Sequence, residues 1–211
     1  MQHKTKLMEE TRTMSTQIEF FFDPASTYSY LAATQIEAFA KQHATTVVWK
    51  PFLLGKAFEA TGNKMPALIP AKGKYLFKDA SLWAKLYGVP FVFPKNFPLN
   101  SVLASRATIA ADQAGQGVPF ALAMFKAYWA EGADLSQPDA IAAVATGVGL
   151  DGTALVAATG EAAVKDVLRA NTEDAIARGV FGAPTFFIGK QMFWGNDRLP
   201  LMSAFLKGEL A

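Results

Sequence analysis

The 211-residue chain contains no cysteine. That absence excludes disulfide bonds, thiolate metal sites, iron–sulfur clusters and any nucleophilic thiol carried by the protein itself. It also fits a reducing compartment, and we predict a cytoplasmic location. An excess of charge of one sign is also missing, because 20 basic and 18 acidic side chains leave a net charge of +2, and the basic residues are scattered. Nucleic-acid-binding domains usually carry a basic stripe, so we predict no nucleic-acid partner.

Long hydrophobic runs are also missing, and no stretch is long and apolar enough to predict a membrane span. The first 16 residues are polar, of mixed charge, and lack the apolar centre of a secretory signal. We predict a disordered lead-in over residues 1–16, with Met14 as an alternative start to Met1. His3 lies in this lead-in, and His43 ends a predicted helix, where a cation is ordinary. Neither a metal site nor a Ser-His-Asp triad is predicted.

The apolar content, 51% of the chain, predicts an ample core. Apolar and β-branched runs predict strands at 18–22 and 45–52, and a helical period predicts a helix at 28–43 between them. A further helix is predicted at 72–87. The alanine-rich segment 100–178, interrupted by glycines, predicts roughly four helices. Strands are then predicted at 184–188 and 191–194 around a Gly189-Lys190 turn, followed by a closing helix over 196–206.

The predicted order is β-α-β, a block of helices, then β-β-α. This order indicates an α/β, thioredoxin-like fold with an all-helical insertion domain. We predict a discontinuous thioredoxin-like domain formed by residues 17–60 and 179–211. The helical insertion domain is predicted to comprise residues 61–178.

Ser26 stands at the junction between the first strand and the first helix, in the sequence Ser26-Thr27-Tyr28-Ser29. Thioredoxin-like redox proteins carry Cys-x-x-Cys at this junction. A helix N-terminus, with roughly half a positive charge, stabilises a thiolate, and a serine hydroxyl can donate a hydrogen bond to it. We therefore predict that the thiol arrives on a cofactor, with glutathione the obvious candidate. The alternative is that Ser26 is simply a helix N-cap, and Ser29 is predicted to be structural.

Two later motifs complete the predicted site. In a thioredoxin fold, a cis-proline at the Ala183-Pro184 position faces the first helix, and we predict that this bond is cis. Asn196-Asp197 opens the closing helix, where either side chain could be an N-cap and Asp197 could also hold an ammonium group.

The G-x-G-x-x-G match at 147–152 follows no strand, and we interpret it as a helix–helix loop. A group of aromatic residues is predicted to be mainly core, with some members lining an aromatic substrate pocket: Phe91, Phe93, Phe97, Phe120, Phe125, Tyr128 and Trp129.

Together these motifs resemble a known family, the bacterial 2-hydroxychromene-2-carboxylate isomerases, which are glutathione-dependent relatives of kappa-class glutathione transferases and DsbA. The segment 61–66, with Pro90 and Phe93-Pro94, resembles the kappa class too. The resemblance covers residues 17–207, and it departs from the family at Thr27, where proline is usual. It is carried by Phe22-Asp23-x-x-Ser26-x-x-Ser29-Tyr30-Leu31, Gly182-Ala183-Pro184-Thr185 and Trp194-Gly195-Asn196-Asp197-Arg198-Leu199.

The resemblance implies a catalytic role for Ser26 beside the glutathione sulfur. It implies that Ser26, Asn63, the backbone of Ala183, Asn196 and Asp197 bind glutathione. It also implies a homodimer that interconverts 2-hydroxychromene-2-carboxylate and trans-o-hydroxybenzylidenepyruvate, by reversible thiolate addition that lets a double bond rotate. Two alternatives stay open: a kappa-like transferase or peroxidase that consumes glutathione, and a non-catalytic module that binds glutathione or a peptide. A DsbA-like oxidoreductase is excluded by the absence of cysteine.

Overall fold

The structure is a computed structural model that describes residues 16–210. The predicted lead-in of residues 1–16, with its two candidate starts, therefore lies outside the described residues except for Thr16. The sheet contains four strands: β1 Gln17–Phe22, β2 Thr46–Pro51, β3 Thr185–Ile188 and β4 Gln191–Trp194. Nine α-helices are described in this part of the chain: α1 Thr27–Gln42, α2 Leu54–Thr61, α3 Pro70–Tyr87, α4 Val102–Gln113, α5 Gly117–Trp129, α6 Pro138–Gly147, α7 Gly152–Ala158, α8 Ala162–Ala177 and α9 Leu199–Leu206.

The strand order is β2-β1-β3-β4, with β1 parallel to β2, and with β3 antiparallel to both β1 and β4. Strand β1 is therefore central, and its pairing with β3 joins the two ends of the described chain. The predicted α/β, thioredoxin-like fold with added helices is confirmed. Within residues 16–210, no helix combines the length and the apolar composition needed to cross a membrane.

Alternation along β1 divides its side chains between two cores, because successive residues of a strand point to opposite faces. Ile18, Phe20 and Phe22 join the larger core, which also contains aromatic residues of the helical block. One such contact is between Phe22 and Phe125, whose ring centroids lie 5.5 Å apart. The sheet and the helical block thus share one core. The sequence-based division into domains 17–60 with 179–211, and 61–178, stays a prediction.

On the opposite face, Phe21 packs in a smaller core, and its neighbour Glu19 is held by two cations. Lys50 Nζ lies 2.6 Å from Glu19 Oε1 and 3.0 Å from Asp174 Oδ2, while Arg178 Nη1 lies 2.8 Å from Glu19 Oε2. The Arg178 guanidinium also sits 3.6 Å from the centre of the Phe187 ring. This network ties β1 and β2 to the end of α8.

The helical block differs from the prediction in number, since it holds five helices from α4 to α8 within residues 100–178 where roughly four were predicted. Two of these helices are separated by the G-x-G-x-x-G segment, because α6 ends at Gly147 and α7 begins at Gly152. Asp151 caps α7 by accepting the Ala154 N–H at 3.0 Å. The interpretation of this motif as a helix–helix loop is confirmed.

Helix α2 was not predicted, and the predicted closing helix is divided into a 3₁₀ turn, Asn196–Arg198, and α9. Helix α2 has only eight residues, with Gly55 in its first turn, so it is too short for a helical pattern of apolar residues to be recognised in the sequence. It is stabilised instead by tertiary contacts, because Ala57 is buried in the smaller core.

Candidate active site

The main cavity lies where the parallel strands β1 and β2 end, the usual position for ligands in open α/β sheets. Its walls include residues that follow β1 (23 and 25–28) and β2 (53–56), together with residues 181–183 just before β3. The cavity volume is about 400 Å³, which falls within the range of small-molecule sites.

Ser26 lies in the wall of this cavity, at the N-terminus of α1, and it makes two hydrogen bonds. Its Oγ accepts the Ser29 backbone N–H at 3.2 Å, so the predicted N-cap is confirmed. Its hydroxyl also donates to the carbonyl oxygen of Ala183 at 3.1 Å. The Ala183–Pro184 bond is cis, as predicted. Ser26 is therefore both a helix cap and a polar group at the cavity.

The turn before Ser26 is fixed by Asp23, which is 2% exposed. Asp23 Oδ1 accepts the Ala25 N–H at 2.8 Å, and Oδ2 accepts the Leu54 N–H at 2.9 Å. Burial raises the pKa of Asp23 above its usual range, while the bonds from Leu54, Ala25 and Ser101 oppose that shift. The Asp23 side chain thus links the start of α1 to the start of α2. It fixes the start of α1 even though Thr27 replaces the proline that is usual in the family the sequence resembles.

Asn63 and Ala183 line the same cavity as Ser26. The Asn63 side chain is exposed, and its Nδ2 donates to the carbonyl oxygen of Phe181 at 3.2 Å. Three of the five predicted glutathione-binding residues are therefore brought together from separate parts of the chain.

Asn196 and Asp197 are placed differently, since neither is among the residues that line the cavity. The Asn196 side chain is buried, and its Nδ2 donates to the Tyr87 hydroxyl at 3.3 Å. Neither side chain caps a helix in the described chain, so the N-cap interpretation is wrong. The N-cap position belongs to Gly195, whose φ of 113° suits glycine.

The charge of Asp197 makes a minor contribution to the pKa of Tyr28, a residue of the cavity wall. Tyr28 lines the cavity and donates its hydroxyl to Asp79 at 2.7 Å. Burial raises the pKa of Tyr28, the bond to Asp79 raises it further, and the negative charge of Asp197 adds to the effect. Asp197 carries no buried ion pair, because its partner Arg198 lies 3.5 Å away and both side chains are partly exposed.

Several cavity residues were missed from the sequence, among them Trp194, Phe181 and Lys56. The Trp194 and Phe181 rings meet edge to face at 4.8 Å, and the indole packs so closely on Gly182 that a Cβ there would collide with Nε1. Lys56 brings an exposed cation that pairs with Glu59 at 2.8 Å. For Lys56 the available signal was position, because residues 53–56 follow the carboxyl end of β2.

The predicted aromatic group is mainly core, and four of its members are fully buried: Phe120, Phe125, Tyr128 and Trp129. Phe97 is the member of the group that also lines the cavity. Within the part of the chain that the structure describes, no cluster of three or more His, Asp or Glu side chains could hold a metal ion.

Comparisons with known proteins cover nearly the whole chain. Residues 17–207 match the family described as the DSBA-like thioredoxin domain. The chain is 33% identical to a 2-hydroxychromene-2-carboxylate isomerase of Sphingobium xenophagum over 196 residues, 92% of this chain and 99% of the relative. It is 34% identical to glutathione S-transferase kappa 2 of Caenorhabditis elegans over 204 residues, 90% of this chain and 91% of the relative. A solved 2-hydroxychromene-2-carboxylate isomerase structure superposes with a TM-score of 0.84 at 31% identity, covering 92% of this chain and 95% of that one.

Proposed function

Because the chain belongs to the DSBA-like thioredoxin family, in the branch that contains the 2-hydroxychromene-2-carboxylate isomerases, we propose that it is a glutathione-dependent isomerase of this type. The reaction is the interconversion of 2-hydroxychromene-2-carboxylate and trans-o-hydroxybenzylidenepyruvate, or of a related intermediate of aromatic degradation. The observation that carries the proposal is the Ser26 hydroxyl, which lines a cavity at a helix N-terminus and bonds to Ala183 in a chain without cysteine.

The residues at the cavity fit glutathione. Ser26 and the first-turn N–H groups of α1 suit a thiolate, since these N–H groups have no partner within the helix. The Asn63 amide and the Ala183 backbone offer polar contacts for the peptide. Asp197, beside the rim, would hold the α-ammonium group of the γ-glutamyl end. Bound there, glutathione would supply a thiol that adds reversibly to the conjugated substrate and so permits rotation about a carbon–carbon bond.

Ser26 has the central role in this proposal. A free thiol has a pKa of about 8.5, and lowering it by two units requires roughly 2.7 kcal/mol of differential stabilisation. A helix N-terminus and one charge-assisted hydrogen bond together supply energy of that order. The hydroxyl, which donates to Ala183 in the structure, would turn to the cofactor sulfur.

The apolar walls would receive the substrate. Phe97 and several aliphatic side chains face the cavity, and they suit a flat aromatic ring and limit the access of water: Leu53, Leu54, Met65, Leu99 and Val102. A cytoplasmic location and a homodimer are part of the same proposal. The dimer surface in this proposal lies on α3, where Tyr75, Leu82 and Leu86 are exposed.

A kappa-like transferase is the second candidate, favoured by the 34% identity to the Caenorhabditis elegans relative. The two activities differ in mass balance. An isomerase regenerates the thiol at every turnover, whereas a transferase consumes one glutathione per conjugate formed and a peroxidase oxidises two per peroxide reduced. Thiol titration during turnover of 2-hydroxychromene-2-carboxylate separates them, and stoichiometric thiol loss would exclude the isomerase.

We predict that Ser26→Ala lowers turnover about 100-fold, as for the loss of one preorganised donor to developing charge. The fold should survive, since a lost cap costs about 1 kcal/mol. Ser29→Ala is the matched control, because Ser29 lies one turn on, is fully buried, and its Oγ has no partner among residues 16–210. Wild-type turnover in a folded Ser26→Ala variant, or an equal loss in both variants, would refute the role of Ser26.

A further inference from the structure

A second cavity, of about 250 Å³, adjoins the first. Asn100 and Val102 line both cavities, so the two meet at the start of α4. The remaining walls of the second cavity are formed by Leu103, Arg106 and Ser136.

Arg106 dominates the chemistry of this cavity. Its Nε is buried and has no hydrogen-bond partner among residues 16–210. None of the ion pairs found in this range includes Arg106. A buried guanidinium donor without a partner is costly, and its planar fork matches a carboxylate with two parallel hydrogen bonds. The geometry therefore calls for an anionic ligand.

The carboxylate that bonds to the wall residue Ser136, Asp134, does not meet that need. Asp134 Oδ1 accepts from the Ser136 hydroxyl at 2.6 Å and from Asn96 Nδ2 at 2.5 Å. These bonds, with that of the Ser136 N–H, hold the pKa of Asp134 below its usual range. The hydrogen bonds of the Asp134 carboxylate are thus supplied by Asn96 and Ser136, and the Ser136 hydroxyl donates to Asp134.

Asn100 leaves a second donor at the junction. Its Oδ1 accepts the Val102 N–H at 3.2 Å, and the Nδ2 of the same amide remains to donate. The second cavity therefore offers a guanidinium and an amide N–H, whereas the first offers apolar walls and the Ser26 hydroxyl.

We propose that Arg106 binds the carboxylate of the substrate in this second cavity, while the aromatic ring occupies the first. The inference rests on the proposed function, because the carboxylated aromatic substrate comes from it. Arg106 would then determine specificity, since the site would favour 2-oxo-carboxylates over neutral enones of the same shape. Asn100 would support the same group from the junction.

The first experiment compares two substrates in wild type, Arg106→Gln and Arg106→Lys. One is trans-o-hydroxybenzylidenepyruvate, and the other is its methyl-ketone analogue, in which a methyl group replaces the carboxylate. Arg106→Gln should raise KM for the carboxylate about 30-fold, as for the loss of a bidentate charge-assisted pair whose Nε is buried. It should change KM for the ketone and for glutathione less than threefold. Arg106→Lys, which keeps the charge but loses the fork, should lie between.

Equal effects on both substrates, or none, would overturn the assignment. Arg169→Gln is the matched control, because Arg169 is exposed and paired with Asp166 at 2.6 Å. Folding of each variant is checked by circular dichroism melting.

A second measurement is independent of turnover. Isothermal titration calorimetry should detect binding of trans-cinnamate to wild type, and Arg106→Gln should lower that affinity at least tenfold. Cinnamamide, which lacks the carboxylate, should bind both proteins with equal affinity. Arg106-dependent cinnamate binding without isomerase activity would keep the subsite and refute the proposed function. Isomerase activity together with cinnamate binding that is unchanged in Arg106→Gln would support the proposed function and refute the carboxylate subsite.

Discussion

Ser26 places an oxygen where two backbone groups meet, the Ser29 N–H and the Ala183 carbonyl. A thiolate at this position would keep the first contact, because it accepts hydrogen bonds, but it could not donate to the second. The helix N-terminus favours the charged form of such a group. The identity of this one side chain therefore determines whether the reactive sulfur belongs to the protein or to a ligand.

We predict that Ser26→Cys gains a thiol whose pKa lies well below the ordinary value of about 8.5. Oxidised glutathione should then form a mixed disulfide with it, because the proposed cofactor sulfur and residue 26 are neighbours. Thiolate absorbance titration gives the pKa, and mass spectrometry detects the adduct.

Ser29→Cys is the control for this measurement. Its side chain is fully buried, and a thiol buried without polar partners has a raised pKa and low reactivity. An ordinary pKa and no adduct at position 26 would mean that Ser26 is not at the thiol site.

At the scale of elements, the 3₁₀ turn Asn196–Arg198 holds two predicted ligands in different ways. Asn196 is turned inward to Tyr87, whereas Asp197 is partly exposed and its charge reaches Tyr28 at the cavity rim. The two neighbouring residues are therefore not expected to contribute equally to glutathione binding. Asn196 fixes the turn against α3, and Asp197 is the group available to a ligand.

We predict that Asp197→Asn raises the glutathione KM while kcat at saturation changes little. The carboxylate would contact the γ-glutamyl end, away from the sulfur, so its interaction is equal in the ground and transition states. Steady-state kinetics with varied glutathione measures both constants.

Asp139→Asn is the matched control, since Asp139 also lies in the first turn of a helix. A glutathione KM that stays at the wild-type value in folded Asp197→Asn would remove Asp197 from the binding site.

The elements differ in how far the sequence predicted them. Strand β1 and helix α1 were predicted to within one residue, because both bury strongly patterned apolar side chains. Helix α2 was missed, since its stability comes from Asp23 and the smaller core and not from its own apolar pattern.

Among the site residues, Ser26, Asn63 and Ala183 were predicted as part of one site, and they line the same cavity. Arg106 was missed because a single arginine on an alanine-rich helix carries no sequence signal.

For the molecule as a whole, the exposed face of α3 bears on the proposed dimer. Tyr75, Leu82 and Leu86 are spaced by seven and four residues, so they lie along one side of the helix. Large apolar side chains grouped on a surface are typical of interaction sites. The proposed homodimer would cover them with a second copy of the same helix.

We predict that wild type sediments as a dimer and that Leu82→Ser combined with Leu86→Ser shifts it to monomer at micromolar concentration. The reason is the loss of apolar area buried between the copies. Sedimentation equilibrium measures the mass. Val167→Ser, at an exposed apolar position on α8, should leave the dimer intact. A monomeric wild type would contradict the prediction.

The pairing of β1 with β3 also affects how the chain is made. Ser26 and Ala183 are 157 residues apart, so a ribosome needs roughly 8 to 30 s to synthesise the second after the first. During that interval, β1 has its parallel neighbour β2 but no partner on its other edge, and unpaired apolar strand edges favour aggregation. Recovery of intact protein from a cell should therefore depend on how quickly the C-terminal hairpin arrives, and on the chaperones that shield the nascent strand until then.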